Sequence, residues 1–77
     1  MTYLVHLDLH RNSLRSIPKE LSNLINLQML NLANNSIERI PSFINSFINL
    51  RVLDLHSNRI DNVPPEIGLK YHRNWSY

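Results

Sequence analysis

The 77-residue chain has no cysteine and a single glycine, Gly68. Without thiols there can be no disulfide, no thiolate metal ligand and no cysteine nucleophile. With one glycine, the glycine-rich loops that cradle phosphates are excluded. No stretch approaches the ~20 apolar residues of a membrane-spanning helix, so no membrane partner is expected. The opening residues, Met1 to His6, carry neither a charged lead nor a long apolar run, which reads as a chain without a secretory leader. Charge of one sign is also scarce. Eight Lys/Arg stand against six Asp/Glu, a net charge of +2. That is too mild to point to nucleic acid.

Hydrophobic residues make up 43% of the chain and charged residues 18%, which suits a globular fold and not disorder. The length allows one domain. A chain this short with no cross-links must be held by packing alone, or by a partner.

Leucine and asparagine dominate, and both recur with a period of 23. Leu4, Leu27 and Leu50 are spaced by that interval, as are Leu7, Leu30 and Leu53, and Leu9, Leu32 and Leu55. Asn12, Asn35 and Asn58 keep it too. Leu14, Ile37 and Ile60 follow, then Ile17, Ile40 and Val63, then Pro18, Pro41 and Pro64, and finally Leu21, Ile44 and Ile67. Laying residues 4–26 on 27–49 gives nine identities in 23 positions, and the mismatches at apolar positions stay apolar.

Each unit carries its own structural instructions. The Leu-x-Leu segments alternate apolar and polar residues, which predicts short strands with the leucines inward. Parallel strands need a long return path, and the remaining residues of each unit supply it. Pro18, Pro41 and Pro64 push the residue before them into extended geometry, and proline can open a helical turn. After Pro18, the spacing of Leu21, Leu24 and Ile25 predicts one face of a short helix or 3₁₀ turn over the core, and Ile44, Phe47 and Ile48 repeat that layout. The asparagines fall where the chain leaves the strand. There an inward amide can satisfy turn backbone groups and bond the next repeat.

The unit L-x-x-L-x-L-x-x-N-x-[LI]-x-x-[IV]-P-x-x-[LI] resembles the leucine-rich repeat. It is similar to the 23-residue type of intracellular scaffold and regulatory proteins, such as Ras-suppressor-like and Scribble-like chains. The predicted class is α/β: a short leucine-rich-repeat solenoid with three parallel strands on its concave face and short helical or irregular convex segments. The domain is expected to span 1–69, with repeats at 4–26, 27–49 and 50–69, followed by a tail at 70–77.

Function in a solenoid usually lies on the concave strand face. The phase predicts three columns there: His6–Met29–Val52, Asp8–Asn31–Asp54 and His10–Ala33–His56, flanked by Arg11, Asn34 and Ser57. The mixture of acid, imidazole and small apolar groups suits a protein or peptide better than a phosphate backbone. The expected contact residues are therefore His6, Asp8, His10, Met29, Asn31, Val52, Asp54 and His56. His6, Asp8 and His10 alternate on one strand, and two imidazoles so placed could share zinc with Asp8 as third ligand. A shallow face lacks the shielded pocket such a site needs, so the adopted reading is a solvated polar stripe without metal or cofactor. No serine sits in a nucleophile elbow, and the chain is expected to be no enzyme.

The pattern is expected to fail after Ile67. Lys70 stands where the phase calls for an apolar residue, the next strand is not expected, and both ends look bare. Three readings fit: a fragment of a longer array, which is favoured; a tail whose Tyr71, Trp75 and Tyr77 cap the last repeat; or association with another copy through the uncapped ends. The function read from these features is non-catalytic protein–protein interaction through the concave face. The alternative is a regulatory fragment of a larger leucine-rich-repeat signalling protein or enzyme, with no activity of its own. The missing leader and the absence of the cysteine caps usual in secreted relatives point to the cytoplasm.

Overall fold

The computed structural model describes residues 3–61 and 74–76. The chain winds as stacked coils, each carrying one short strand. Strands β1 (His6–Asp8), β2 (Met29–Asn31), β3 (Val52–Asp54) and β4 (Asn74–Ser76) form one parallel sheet in chain order. Register is set by the central residue of each strand. Leu7 pairs Leu30, Leu30 pairs Leu53, and Leu53 pairs Trp75. Because side chains alternate across a strand, this places every central residue inward and both flanking residues outward.

The return path carries a 3₁₀ helix in each of the first two coils, Lys19–Asn23 and Ser42–Ser46, opened by Pro18 and Pro41. Hydrogen bonds step by three along both segments. The N–H of Leu21 donates to Pro18, Leu24 to Leu21 and Leu27 to Leu24, and Ile44, Phe47 and Leu50 repeat the chain at 3.1–3.2 Å. A 3₁₀ turn holds three residues, so residues three apart lie on one face. Leu21, Leu24 and Leu27 therefore share the inner side, as do Ile44, Phe47 and Leu50.

One expectation is corrected. Ile25 and Ile48, expected on the covering face of a short helix or 3₁₀ turn, are 55% and 76% exposed. The 3₁₀ helices end at Asn23 and Ser46, and Leu24 (φ −89°, ψ 66°) and Phe47 (φ −81°, ψ 79°) leave helical geometry, so Ile25 and Ile48 do not continue the covering face.

The core is the interior of the second and third coils. Leu27, Leu30, Leu32, Ile37, Ile44 and Phe47 are fully buried, with Leu50, Leu53 and Leu55 stacked beside them. Full burial of a leucine side chain stabilises by ~1.5–3 kcal/mol. The corresponding residues of the first coil, Leu4, Leu7, Leu9, Leu14, Leu21 and Leu24, are only half-buried.

Two hydrogen-bonded systems bind coil to coil. One is the strand ladder and its continuation, in which Leu9 donates to Asn31, Leu32 to Asp54 and Leu55 to Ser76, each at 2.8 Å. The other is the asparagine ladder. Asn35 donates from Nδ2 to the carbonyls of Leu9, Leu32 and Ala33 at 3.1, 3.0 and 3.3 Å, while its Oδ1 accepts from the N–H of Leu14 at 3.1 Å. Asn58 repeats the set with Leu32, Leu55 and His56, accepting from Ile37 at 2.9 Å. These bonds reach the preceding coil, not the following one as expected. Asn12 contacts only Leu9 and His10 of its own coil. Before each ladder asparagine the backbone turns left-handed, at Arg11 (φ 59°), Asn34 (φ 58°) and Ser57 (φ 60°).

The expected absence of a further strand is also overturned. β4 continues the sheet, with Trp75 in the leucine position and packed against the core. Its indole N–H donates to the Leu50 carbonyl at 3.4 Å. The interval from Leu53 to Trp75 is one residue short of the period, so a strict 23-residue phase passes over it. The expected break at Lys70, the boundary at 69 and Tyr71 and Tyr77 of the tail lie outside the described residues.

Candidate binding face

All eight residues expected to make contact fall on the outward side of the sheet, and the register brings them into the expected columns. His6, Met29 and Val52 are direct neighbours, as are Asp8, Asn31 and Asp54. His6, Asp8, His10, Met29 and His56 are exposed, while Asn31, Val52 and Asp54 are half-buried. Ala33 is 2% exposed and is not a presented side chain. β4 adds a position that phase reasoning missed: Ser76 extends the middle column beside Asp54. Allowing a one-residue gap, and tryptophan in place of leucine, would have revealed it.

The middle column has local work. Asp8 Oδ1 accepts the backbone N–H of His10 at 3.1 Å, Asn31 Oδ1 that of Ala33 at 3.0 Å, and Asp54 Oδ1 that of His56 at 3.2 Å. Each is an Asx-type turn that ends its strand and starts the left-handed bend. Asn31 performs the same task as the two aspartates, so the turn needs the side-chain oxygen and not the charge.

Where the column is acidic, a second bond forms. His10 Nδ1 lies 2.5 Å from Asp8 Oδ1, and His56 Nδ1 bonds Asp54 Oδ1 in the same way. An ionised carboxylate only accepts, so Nδ1 carries the hydrogen and Nε2 is left for an outside partner. The imidazole and backbone N–H of His10 hold the Asp8 carboxyl below the usual range. At Asp54, burial pushes the carboxyl up. The bonds from His56, joined by the Ser76 hydroxyl at 3.3 Å, outweigh that and leave it lowered.

The resulting surface has one band of His6, Met29 and Val52, a middle band of fixed acid and amide groups, and a pair of imidazoles oriented by Asp8 and Asp54. It can accept and donate hydrogen bonds and cover a small apolar group. Among the described residues, no three His, Asp or Glu side chains are grouped to hold a metal ion. No helix among them is long and apolar enough to cross a membrane.

Stacked coils with a parallel strand, an inward asparagine and a proline-led 3₁₀ return define the class, and comparison with known proteins agrees. The family model of leucine-rich repeats in two copies matches residues 4–45 and again 25–66. The chain belongs to the leucine-rich-repeat family, whose repeats serve as non-catalytic frameworks for protein–protein interaction. Among solved structures, it is similar to a leucine-rich-repeat protein of Leptospira interrogans, with 37% identity and a TM-score of 0.83 over 95% of this chain. The chain spans 19% of the length of that protein. A search of curated proteins found no match.

Proposed function

We propose that the chain is a protein-interaction module that binds a protein partner through the exposed side of its sheet, as a scaffold or regulator in signalling. The observation that carries this reading is the alignment of exposed, chemically varied side chains on backbone fixed by two hydrogen-bond ladders. Rigid presentation lowers the ordering cost of association. Met29 and Val52 supply apolar area, His10 and His56 offer oriented Nε2 atoms, and Asp8 and Asp54 supply negative charge. The 23-residue period supports kinship with the intracellular Ras-suppressor-like and Scribble-like type, and with it a cytoplasmic location. The same reading takes 1–69 as the repeat domain, to which Asn74–Ser76 add a fourth strand.

The second reading is a regulatory segment of a larger leucine-rich-repeat signalling protein or enzyme. The small share of the Leptospira protein that this chain covers favours it. Self-association through the ends of the solenoid belongs to either reading.

The test is retention of proteins on immobilised chain, compared between wild type, Met29→Arg, and Glu20→Arg on the convex side. Partners retained by wild type and Glu20→Arg but lost from Met29→Arg are expected. Equal retention by all three would refute use of the sheet face.

A further inference from the structure

The three columns of the sheet face differ in charge from the rest of the molecule. Their positions, on or just after β1 to β3, hold Asp8 and Asp54 but none of the eight Lys and Arg residues. The whole chain has a net charge of +2 with its imidazoles neutral, so the face is a negative patch on a positive protein. Arg11 and Arg51 stand nearest in sequence, beyond the ends of the columns. Among the described residues, neither is ion-paired with these acids, whose ion-pair partners are His10 and His56.

The bonds made to the two carboxylates fix them without cancelling their charge. Asp8 accepts the backbone N–H and the Nδ1 of His10, and Asp54 accepts those of His56 and the Ser76 hydroxyl. With neutral imidazoles, all of these are neutral donors. Both carboxyls are held below their usual range, so both are ionised at neutral pH. The Asp8 side chain is 56% exposed and that of Asp54 30%, so both can be reached from outside.

We propose that this face takes a basic helix of a protein partner, with Lys or Arg side chains seven positions apart set over Asp8 and Asp54. This rests on the sheet face being the binding surface and names the chemistry of what it binds. Opposite charge favours a cationic partner and turns away nucleic acid and acidic segments. Spacing selects the helix. Asp8 and Asp54 each pair with Asn31, so they stand two strand spacings apart, ~9–10 Å. Seven residues of α-helix rise ~10.5 Å and return to nearly the same face. Side chains on one face of an extended segment fall ~6.5–7 Å or ~13 Å apart, which matches neither. The aliphatic stems of the two cations can lie along the neighbouring column of Met29 and Val52.

The middle strand shows how to change the charge and keep the fold. Asn31 makes the same strand-ending bond as the two aspartates, so charge can be removed at 8 and 54, or added at 31, with that bond intact. The test is titration of the full chain, at neutral pH and low salt, with a synthetic alanine-based helical peptide carrying two Arg residues seven apart. The same peptide with Gln at both positions is the comparison. Binding roughly fivefold tighter for the Arg peptide is expected, with NMR shift changes at the amides of Asp8, Asn31 and Asp54. The double variant Asp8→Asn, Asp54→Asn should lose that advantage, and Asn31→Asp should tighten binding roughly twofold. Both should keep the wild-type circular dichroism, and added salt should narrow every difference. Equal affinity for the two peptides, or an Arg-peptide affinity that ignores both variants, would overturn the basic helix. The sheet face itself would still stand if Met29→Arg releases retained partners. Partners that survive Met29→Arg as they survive Glu20→Arg would overturn the face and this inference with it.

Discussion

Replacing the ladder asparagines one at a time should separate their roles by position. Asn35 is 9% exposed and makes bonds from both Nδ2 hydrogens and from Oδ1. With alanine there, the Leu14 N–H loses its side-chain acceptor, while the Leu9 and Leu32 carbonyls each lose one donor and keep Asn12 and Asn58 respectively. Each bond is worth ~1 kcal/mol net, and an orphaned buried group costs ~1–3 kcal/mol. Asn35→Ala should therefore cost ~2–4 kcal/mol. Asn58→Ala removes the equivalent set and should fall in or just below the same range, ~2–3 kcal/mol. Asn12 is exposed and bonds only its own coil, so Asn12→Ala should cost ~0.5–1 kcal/mol. For a chain of 77 residues, total stability is expected near ~4–12 kcal/mol, so the first two losses are large fractions of it. Urea denaturation followed by circular dichroism reads the loss. Fluorescence of Trp75, the only tryptophan, reports whether β4 melts with the other coils. Equal costs at Asn12 and Asn35 would refute the ladder as a bond between coils, and so would a loss below ~0.5 kcal/mol at Asn35.

Three further outcomes follow from the geometry. Arg11 and Ser57 occupy left-handed backbone where Asn34 is the better-suited residue, so Ser57→Asn should raise the melting temperature by ~2–4 °C and Ser57→Val should lower it, as read by thermal denaturation. Acidification should weaken the fold through Asp54, whose carboxyl is lowered in the folded chain. Stability from such a group is present above the unfolded value of ~3.9 and is lost as pH falls through the lower folded value. Asp54→Asn should flatten that limb of a stability–pH curve while keeping the strand-ending bond, as Asn31 does. Finally, Phe47→Ser should cost ~3–5 kcal/mol, whereas Ile48→Ser, one residue on, should stay within ~0.5 kcal/mol. Comparable costs in denaturant titration would refute the three-residue period of the convex segment.

The strands, their register and the columns of the outer face were legible because a period of 23 and an alternation of two leave each residue one place. Leu7, Leu30 and Leu53 could only face inward together, which carried His6, Met29 and Val52 outward together. What escaped depends on local geometry that a count of residues does not determine. Ile25 and Ile48 looked covered because their spacing continues the helical face, but the 3₁₀ helices end at Asn23 and Ser46, and the backbone at Leu24 and Phe47 turns the next residue out. Ala33 looked presented by phase, but its small side chain is buried. The bonds of Asp8 and Asp54 to the histidines two residues on were hidden because the pattern shows alternation and not which oxygen is taken. The direction of the asparagine bonds was equally hidden, since a repeat looks the same read toward either neighbour.

The position of Trp75 has a consequence for how such coils can diverge. Inter-coil bonds keep the full interval as far as Asp61, whose N–H donates to Glu38 just as that of Glu38 donates to Arg15. The missing residue therefore falls between Asp61 and Asn74, yet Trp75 still lands opposite Leu53. The sheet reads contact between neighbouring strands and is indifferent to how many residues were spent on the way round. A coil of this kind can gain or lose length on its return path and still deliver its next side chain to the same row, so the outer surface can keep its alignment while the spacing in sequence drifts.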